Sequence, residues 1–297
     1  MRFVDVTNDV AFRKIFGNEN KTSIIISFLN AVLKLEGEDQ IESVQIINPY
    51  QLPRVAGEKA TIIDVRAKDV QGRQFVIEMQ VTHKKGFKKR VQYYAARDYS
   101  MQIQSGENYD LLHPTYFIGI LDFNFFEGEK YLSHHLTMDK ETYENKLDDI
   151  KYSFIELHKF NLEAEQLESL VEKWVFFIKN AENLDVIPEN TDDEGLIAAY
   201  EDAEKHRWDK EELIAYDNAF IALRDIKARE EFVREEAEKK GMAKGMAKGM
   251  AKGMAKGIAE EKVEVVRRCL ENQMDIELIA QISGLSVSEI EEIKQDL

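Results

Sequence analysis

Three polar residues in the middle of the chain, Asp64, Glu78 and Gln80, have the types and spacing of a hydrolytic site. They lie in two β-rich segments, residues 60–67 and 74–82, on either side of a turn that contains Gly72, which predicts a β-hairpin. Side chains alternate across a strand, so Glu78 and Gln80 share one face. Pairing of the strands about Gln71 places Asp64 opposite Glu78, within side-chain reach.

Two opposed carboxylates repel each other unless a positive charge lies between them. Oxygen ligands without Cys or His favour Mg²⁺ or Mn²⁺, which would lower the pKa of a water molecule and orient it towards a phosphodiester. Gln80 takes no proton at neutral pH, so it can position water or phosphate but is no general base. A solvated hairpin carrying ordinary surface acids explains the same spacing and stays an open alternative.

The segments around this hairpin predict an α/β core followed by a helical C-terminal half. Helical patterns cover residues 8–17 and 21–35, and a third runs from Lys88 to Gly106. Short β-rich segments are predicted at the following positions: residues 43–48, 114–125 (a central strand), 131–138 and 152–160. Helical patterns return at 165–180 and from about residue 192 onward.

A basic run follows the hairpin directly, with five Lys or Arg among residues 83–90 and no acid between them. The net charge of −16 argues against indiscriminate binding of nucleic acid, so any contact with a phosphate backbone must be local. Such runs are often only solvated surface. The position of the run therefore matters more than its existence.

The C-terminal part begins with a charged helical pattern from Asp209 and continues into four Gly-Met-Ala-Lys repeats, residues 241–256. Ala, Met and Lys favour a helix whereas each Gly costs about 1 kcal/mol, so the repeats predict either a helical oligomerisation stalk or a flexible tether. The end of the chain, residues 258–297, resembles a helix-turn-helix with a capping box at Ser286 and Glu289. Its second helix is acidic, which favours a structural or protein-contact role over DNA reading.

The composition sets broad limits on location. No run of residues is apolar and long enough to span a membrane, and the N-terminus lacks the apolar segment of a signal peptide. A lone cysteine, Cys269, forms no internal disulfide and is expected to be structural. We therefore expect a cytoplasmic protein without a membrane partner.

The sequence resembles the PD-(D/E)xK nuclease superfamily, and within it the recombination-promoting nuclease and putative transposase family of bacteria. The matching stretches are NDVAFRKIFG (residues 8–17), IDVRAKD (63–69), EMQ (78–80), RVQYYAAR (90–97) and the apolar segment 115–123. They cover roughly the first half to two-thirds of the chain. Their order and spacing make the resemblance fairly specific.

This resemblance implies a restriction-endonuclease-like mixed β-sheet flanked by helices, in which Asp64 and Glu78 bind Mg²⁺ or Mn²⁺. Gln80 stands where the superfamily usually has Lys, which leaves the general base unassigned. Asp9 on the first helix is an accessory acid by resemblance, although it is equally a possible helix N-cap; Gln92 is a second accessory residue. The expected DNA-backbone contacts are Lys84, Lys85, Lys88, Lys89, Arg90 and Arg97.

The expected organisation is a nuclease-like domain (residues 1–165), a helical region (166–240), the repeat (241–257) and the helical tail (258–297). The leading functional hypothesis is a Mg²⁺-dependent DNA endonuclease, acting as a dimer through its C-terminal helices, in DNA recombination, mobile-element biology or phage defence. One rival is a catalytically silent DNA- or protein-binding module, which Gln80 and the acidic surface favour. Another is an assembly or regulatory protein that acts through the C-terminal helices.

Overall fold

A computed structural model describes residues 2–51 and 61–295. The chain divides into two compact units, Met1–Arg224 and Asp225–Leu297. The first unit contains a mixed sheet whose strands lie in the order β1-β4-β5-β6-β8-β7. Its strands are β1 (Val44–Ile47), β4 (Val65–Asp69), β5 (Gln74–Gln80), β6 (Thr115–Leu121), β7 (Leu132–His135) and β8 (Ile150–Glu156). A separate two-stranded ladder joins β2 (Tyr50–Gln51) to β3 (Thr61–Ile62).

The middle of the sheet is parallel and its margins are antiparallel. Strand β6 lies between β5 and β8 and pairs with both in parallel, whereas β1 pairs with β4 and β7 pairs with β8 in antiparallel fashion. Helices of the first unit flank this sheet: α1 (Asp9–Phe16), α2 (Ser23–Leu33), α3 (Phe87–Ser100), α4 (Leu170–Asn180) and α5 (Glu194–Ala203). The predicted restriction-endonuclease-like α/β fold and the central position of β6 are thereby confirmed.

The β4–β5 hairpin has the predicted register, because Val65 pairs with Ile77 and the next step along both strands sets Asp64 against Glu78. Its turn uses Gly72 at φ +88°, where an added Cβ would also collide with the His113 ring at 2.6 Å. The predicted continuous strand over residues 60–67 is wrong. Ile63 and Asp64 interrupt it, and the Asp64 carboxylate, rather than a backbone carbonyl, accepts the N–H of Met79 at 2.9 Å.

Both faces of the sheet are covered, so neither face of β5 is solvent-exposed. Phe75 and Ile77 pack with α1, α2, α4 and α5, where Trp174 lies against Phe16 and Phe28. Val76 packs on the other side with Val91 of α3. Since α4 and α5 belong to the same core as the sheet, the compact unit continues past residue 165 to Arg224.

Two helix ends differ from the sequence-based expectation. The N-cap of α1 is Asn8, whose side chain accepts hydrogen bonds from the N–H groups of Val10 and Ala11, so Asp9 is a first-turn residue and not the cap. Helix α3 ends at Ser100, six residues before the predicted stop at Gly106. A longer connection with a short 3-10 helix at Tyr109–Leu111 then leads to β6, and Gly106 lies in a turn of this connection at φ +91°.

Helix α5 packs so closely on α2 that one glycine is obligatory. A Cβ at Gly195 would lie 2.5 Å from the Ser23 carbonyl oxygen and 2.6 Å from the Ser27 Cβ. We expect Gly195→Ala to lower the free energy of unfolding of the first unit by about 1–3 kcal/mol. Urea denaturation followed by tryptophan fluorescence measures this, because Trp174 and Trp208 both lie in that unit.

The matched control is Gly249→Ala, since a Cβ at this helical glycine meets nothing within 4 Å. It should leave the tryptophan transition unchanged and increase the helical circular-dichroism signal, because Ala favours a helix interior by about 1 kcal/mol over Gly. An unchanged fluorescence midpoint for Gly195→Ala would contradict the packing of α5 on α2.

The described elements of the second unit are all helices, the first of which begins within the first unit. Helix α6 (Lys210–Glu271) continues without a break through the four repeats, followed by α7 (Ile276–Ser283) and α8 (Val287–Gln295). Val266, Ile279 and Ile290 form a small buried cluster. The predicted capping box is confirmed, because Ser286 N–H donates to Glu289 at 2.8 Å and Glu289 N–H donates to Ser286 at 3.4 Å. Among all described helices, none is long and apolar enough to cross a membrane.

Candidate active site

The two carboxylates predicted from the hairpin come together on the α3 side of the sheet. Glu78 is 8% exposed on β5, and the Asp64 side chain is 9% exposed just before β4. The orientation of the Asp64 carboxylate is fixed by a hydrogen bond, because its Oδ2 accepts the Met79 N–H. The hairpin therefore presents two nearly buried acids to one small region.

The carboxyl group of Glu78 has a raised pKa and one oxygen without a hydrogen-bond partner. Burial, together with the negative charge of Asp64, raises the pKa of Glu78 to about 8, against the opposing effects of Arg90, a backbone hydrogen bond from Asp64, and Arg13. Its Oε2 is buried and has no hydrogen-bond partner. A buried carboxylate oxygen without a partner is costly, so this atom is suited to a cation or a protonated ligand.

Arg13 of α1 provides the positive charge nearest to Asp64. Its Nε and a terminal nitrogen donate to Asp64 Oδ1 at 3.0 and 2.8 Å. Although burial disfavours the charged form, the contact with Asp64 raises the pKa of Arg13. The same guanidinium lies 3.8 Å from Asp9, one helical turn earlier, and the Asp9 side chain is 54% exposed. Asp9 therefore reaches the site through Arg13.

Gln80 is also buried, and Arg90 of α3 holds its side chain. Arg90 donates to Gln80 Oε1, while Gln80 Nε2 donates to the Thr82 carbonyl at 3.0 Å. The Arg90 guanidinium lies over the rings of Phe87 and Tyr94, at 5.1 and 5.8 Å from their centroids. Arg90, predicted from the sequence as a DNA-backbone contact, is thus turned inward beside Glu78 and Gln80.

Helix α3 is fixed over the sheet by a buried ion pair. Arg66 of β4 donates to Asp98 at 2.8 Å and to the Asn48 carbonyl at 2.9 Å, and Asp98 is 1% exposed. Arg66 is two residues from Asp64 on the same side of the hairpin. This pair therefore ties α3 to the strand that follows Asp64. Arg97, the residue before Asp98, donates to the hydroxyl of Tyr93 one turn earlier at 2.8 Å.

The remaining predicted contacts lie on the surface. The exposed basic residues are Lys84, Lys85, Lys88 and Lys89. Gln92 is also exposed, and its amide donates to the Lys88 carbonyl at 3.2 Å. Because Arg90 and Tyr94 face Glu78, Gln92 lies on the opposite flank of α3, where it borders a cavity lined by residues of β7 and β8.

Sequence reasoning missed the inward roles of Arg13, Arg90 and Tyr94. Arg13 follows Asp9 by four residues, and Tyr94 follows Arg90 by four, so each pair shares one helix face. That spacing was visible in the sequence. The direction in which each face points was not, because it depends on how α1 and α3 pack against the sheet.

The donor set is small. Among residues 2–51 and 61–295, no group of three or more His, Cys, Asp or Glu side chains could hold a metal ion. The carboxylates of Asp64 and Glu78 are two oxygen donors, and Mg²⁺ is commonly held in proteins by one or two carboxylates with water and phosphate as its other ligands. The site fits a hard divalent cation of that kind.

Comparison with known proteins gives one positive result. The family model described as PD-(D/E)XK nuclease family transposase matches residues 6–231, which include every element of the site. No curated protein and no solved structure matches the chain. The match supports a nuclease-like or transposase-like function, in a superfamily whose nucleases generally use divalent metals.

Proposed function

The chain belongs to the PD-(D/E)XK nuclease family transposases, and on that premise we propose that it is a divalent-metal-dependent DNA endonuclease with Asp64, Glu78 and Gln80 at its centre. The observation that carries the proposal is the buried Glu78 Oε2, which has no hydrogen-bond partner and lies beside Asp64. The family description names a transposase, which supports a setting in DNA recombination or mobile elements.

Asp64 and Glu78 would hold the cation, Mg²⁺ or Mn²⁺. When bound, it would act as a Lewis acid that lowers the pKa of a water molecule and stabilises negative charge on the scissile phosphate. Glu78 must lose its proton to take part, because its pKa in the protein alone is about 8. Asp64 is already fixed in orientation by the Met79 N–H.

Gln80 and Arg90 would together do the work that the superfamily's usual Lys does. Gln80 has no charge, but its amide is fixed between Arg90 and the Thr82 carbonyl. Arg90 supplies the positive charge, and its Nε is buried without a hydrogen-bond partner. A guanidinium remains protonated, so Arg90 would orient and neutralise a phosphate oxygen and would not act as a base.

Four lysines, two just before α3 and two in its first turn, give the proposal its DNA-binding surface. Lys84, Lys85, Lys88 and Lys89 are exposed beside the site in a chain whose net charge is −16. Contact with DNA would therefore be confined to this patch and depend strongly on salt. Arg97, in the last turn of the same helix, is a further candidate contact with the DNA backbone.

The direct test is cleavage of supercoiled plasmid by the purified full chain. With Mg²⁺ or Mn²⁺ we expect nicked and then linear DNA to accumulate, and excess EDTA should stop the reaction. Failure of the chain to nick DNA above the buffer control with either metal would refute the enzymatic proposal. Salt-sensitive DNA binding without cleavage would favour a catalytically silent DNA-binding protein.

Arg13 is expected to compete with the metal for Asp64. Its guanidinium already occupies Oδ1, so Arg13→Gln should remove a competing cation and tighten Mn²⁺ binding by about fivefold, corresponding to roughly 1 kcal/mol for one ion pair. Isothermal titration with Mn²⁺ measures the change. Lys14→Gln is the matched control, because Lys14 is the next residue of α1 and pairs instead with Glu212. Weaker Mn²⁺ binding by Arg13→Gln would contradict competition.

We extend the proposal to dimerisation through the C-terminal helices. The methionines of the repeats, Met242, Met246, Met250 and Met254, are 62–81% exposed on a continuous helix. Light scattering should give a dimer mass for the full chain. Deleting two repeats, or replacing the four methionines with Gln, should give a monomer, whereas replacing the four repeat lysines with Gln should not. An unchanged mass in the first two variants would exclude this interface.

A further inference from the structure

A cavity of about 250 Å³ lies on the flank of α3 opposite Arg90 and Tyr94, and the proposed site makes no use of it. Aromatic side chains form its walls: Phe125, Phe126, Tyr152 and Phe154. Phe126 packs at 5.1 Å from Phe154 and at 4.6 Å from the His135 ring. Its volume is just below the roughly 300–1,000 Å³ of pockets for drug-sized ligands, so a single small planar group is the better fit.

Two buried charged residues hold the backbone of the segment that carries Phe125 and Phe126. Glu156, 1% exposed at the end of β8, accepts the N–H groups of Phe125 and Phe126. Lys159 donates both to Glu156 at 2.8 Å and to the Phe126 carbonyl at 2.7 Å. A buried ion pair therefore fixes the backbone of the aromatic segment, so the cavity exists before any ligand arrives.

The mouth of the cavity combines a cation with groups that can form directional hydrogen bonds. Lys88 lies 5.3 and 5.6 Å from the ring centroids of Phe125 and Phe126 and is exposed on α3. Gln92 and Thr137 offer an amide and a hydroxyl, and His135 adds an imidazole. His135 Nε2 already bonds Ser133 Oγ at 3.1 Å, and the Gln92 amide nitrogen donates to the Lys88 carbonyl. A planar aromatic ligand with polar edges and an attached phosphate would complement the Lys88 charge, the Thr137 hydroxyl and the Gln92 amide oxygen.

We propose that this aromatic cavity binds one unstacked nucleobase of a single-stranded DNA segment, with Lys88 on the adjoining phosphate. The inference rests on the proposed nuclease function and adds a substrate class to it. Stacking between a base and aromatic rings tolerates any base sequence, because every base has a π-face. A base within an intact duplex is stacked on its neighbours and cannot enter, so the substrate is single-stranded or locally opened DNA.

The position of the cavity supports a strand that crosses α3. The cavity and the carboxylate site lie on two flanks of one helix, which is about 10–12 Å wide with its side chains. Bases along a DNA strand are spaced about 3.4 Å apart along the helix axis and farther apart when extended, so a few nucleotides bridge that width. Lys88 at the cavity, Lys89, and Arg90 at the carboxylate site follow one another round the first turn of α3, along the same path.

The test compares two oligonucleotides of about 12 nucleotides with the same number of phosphates. One carries thymine at every position, and the other carries abasic sites throughout. Binding to the full chain is measured by fluorescence anisotropy in EDTA, so that cleavage cannot interfere. The thymine strand should bind about tenfold more tightly. Equal affinity for the two strands would overturn the proposal, because phosphate contact alone would then account for binding.

Two variants locate the effect. Phe126→Ala removes a wall, and Thr137→Trp fills the cavity from an exposed position on its rim, so it tests the site without weakening the core. Both should abolish the preference for thymine and leave the affinity for the abasic strand unchanged. Tyr109→Ala is the control, since Tyr109 is 78% exposed and does not line the cavity. A preference that survives Thr137→Trp would overturn the assignment to this cavity.

These outcomes are separate from those of the nuclease proposal. Plasmid cleavage without a preference for thymine would leave the enzyme standing and remove the base site. A thymine preference that depends on the cavity, in a chain that cuts nothing, would keep the base site and remove the enzyme. Absence of binding to either strand would overturn the base site.

Discussion

Asp64→Asn and Glu78→Gln should each lower the rate of plasmid cleavage by at least about 100-fold, the scale of losing a group that stabilises charge in a transition state. Both substitutions keep the shape of the side chain and remove the negative charge. Asn at position 64 still offers an oxygen to the Met79 N–H, so the hairpin should remain intact. Loss of cleavage would then report loss of the cation and not of the fold.

The matched control is Glu129→Gln, which removes a carboxylate at an exposed position outside the site. It should cleave at the wild-type rate. Thermal denaturation of all the variants excludes unfolding as the cause of lost activity. Wild-type cleavage by Glu78→Gln in a folded protein would contradict the assignment of Glu78, and the corresponding result for Asp64→Asn would contradict that of Asp64.

Metal affinity should rise steeply with pH, because Glu78 must release a proton before it can bind a cation. Its pKa in the metal-free protein is raised to about 8, mainly by burial and secondarily by Asp64. The apparent affinity for Mg²⁺ should therefore increase about tenfold per pH unit below pH 8 and level off above it. Titration calorimetry in buffers of different ionisation enthalpy measures both the affinity and the proton released.

Stability of the metal-free protein should change in the opposite direction. A carboxyl group whose pKa is higher in the folded than in the unfolded state binds its proton more tightly when folded. Its contribution is fully present below its ordinary pKa of 4.5 and is lost as pH rises through about 8. The Tm should fall over that window, and Mg²⁺ should restore it. Glu78→Gln should remove both the slope in affinity and the slope in Tm; persistence of either slope would assign it to another group.

The carboxylate pair was predictable from sequence because it depends on local rules. A turn at Gly72 and the alternation of side chains along two strands are enough to place Asp64 opposite Glu78. The break at Ile63 was not predictable in this way. It depends on the Asp64 side chain accepting the Met79 N–H, and a β-rich pattern gives no sign of a side chain that replaces a backbone partner.

The cations of the site depend on tertiary packing and were therefore missed. The basic run predicted Arg90 as a DNA-backbone contact, but it gave no sign that the helical period turns Arg90 inward beside Gln80 while Lys88 and Lys89 stay exposed. Arg13 comes from a helix 51 residues before its partner Asp64. The positions of α4 and α5 could not be predicted for the same reason. Their amphipathic patterns predict that one face of each helix is buried, but not that this face packs on the sheet.

The substitution of Gln80 for the usual Lys gains a physical account. An amide alone would be a poor replacement, because it has no charge to offer a phosphate. In this fold Arg90 reaches Gln80 from α3 and brings a permanent positive charge beside Glu78. We propose that Arg90, on a different element, supplies the charge and that Gln80 positions it.

The central claim is that Asp64 and Glu78 jointly hold one catalytic divalent cation. Its most direct test is equilibrium binding of Mn²⁺ to the full chain, measured by electron paramagnetic resonance for wild type and for the double variant Asp64→Asn/Glu78→Gln. The account predicts about one tightly bound Mn²⁺ per wild-type chain and none in the double variant. Equal Mn²⁺ binding by both proteins, with both folded, would contradict it.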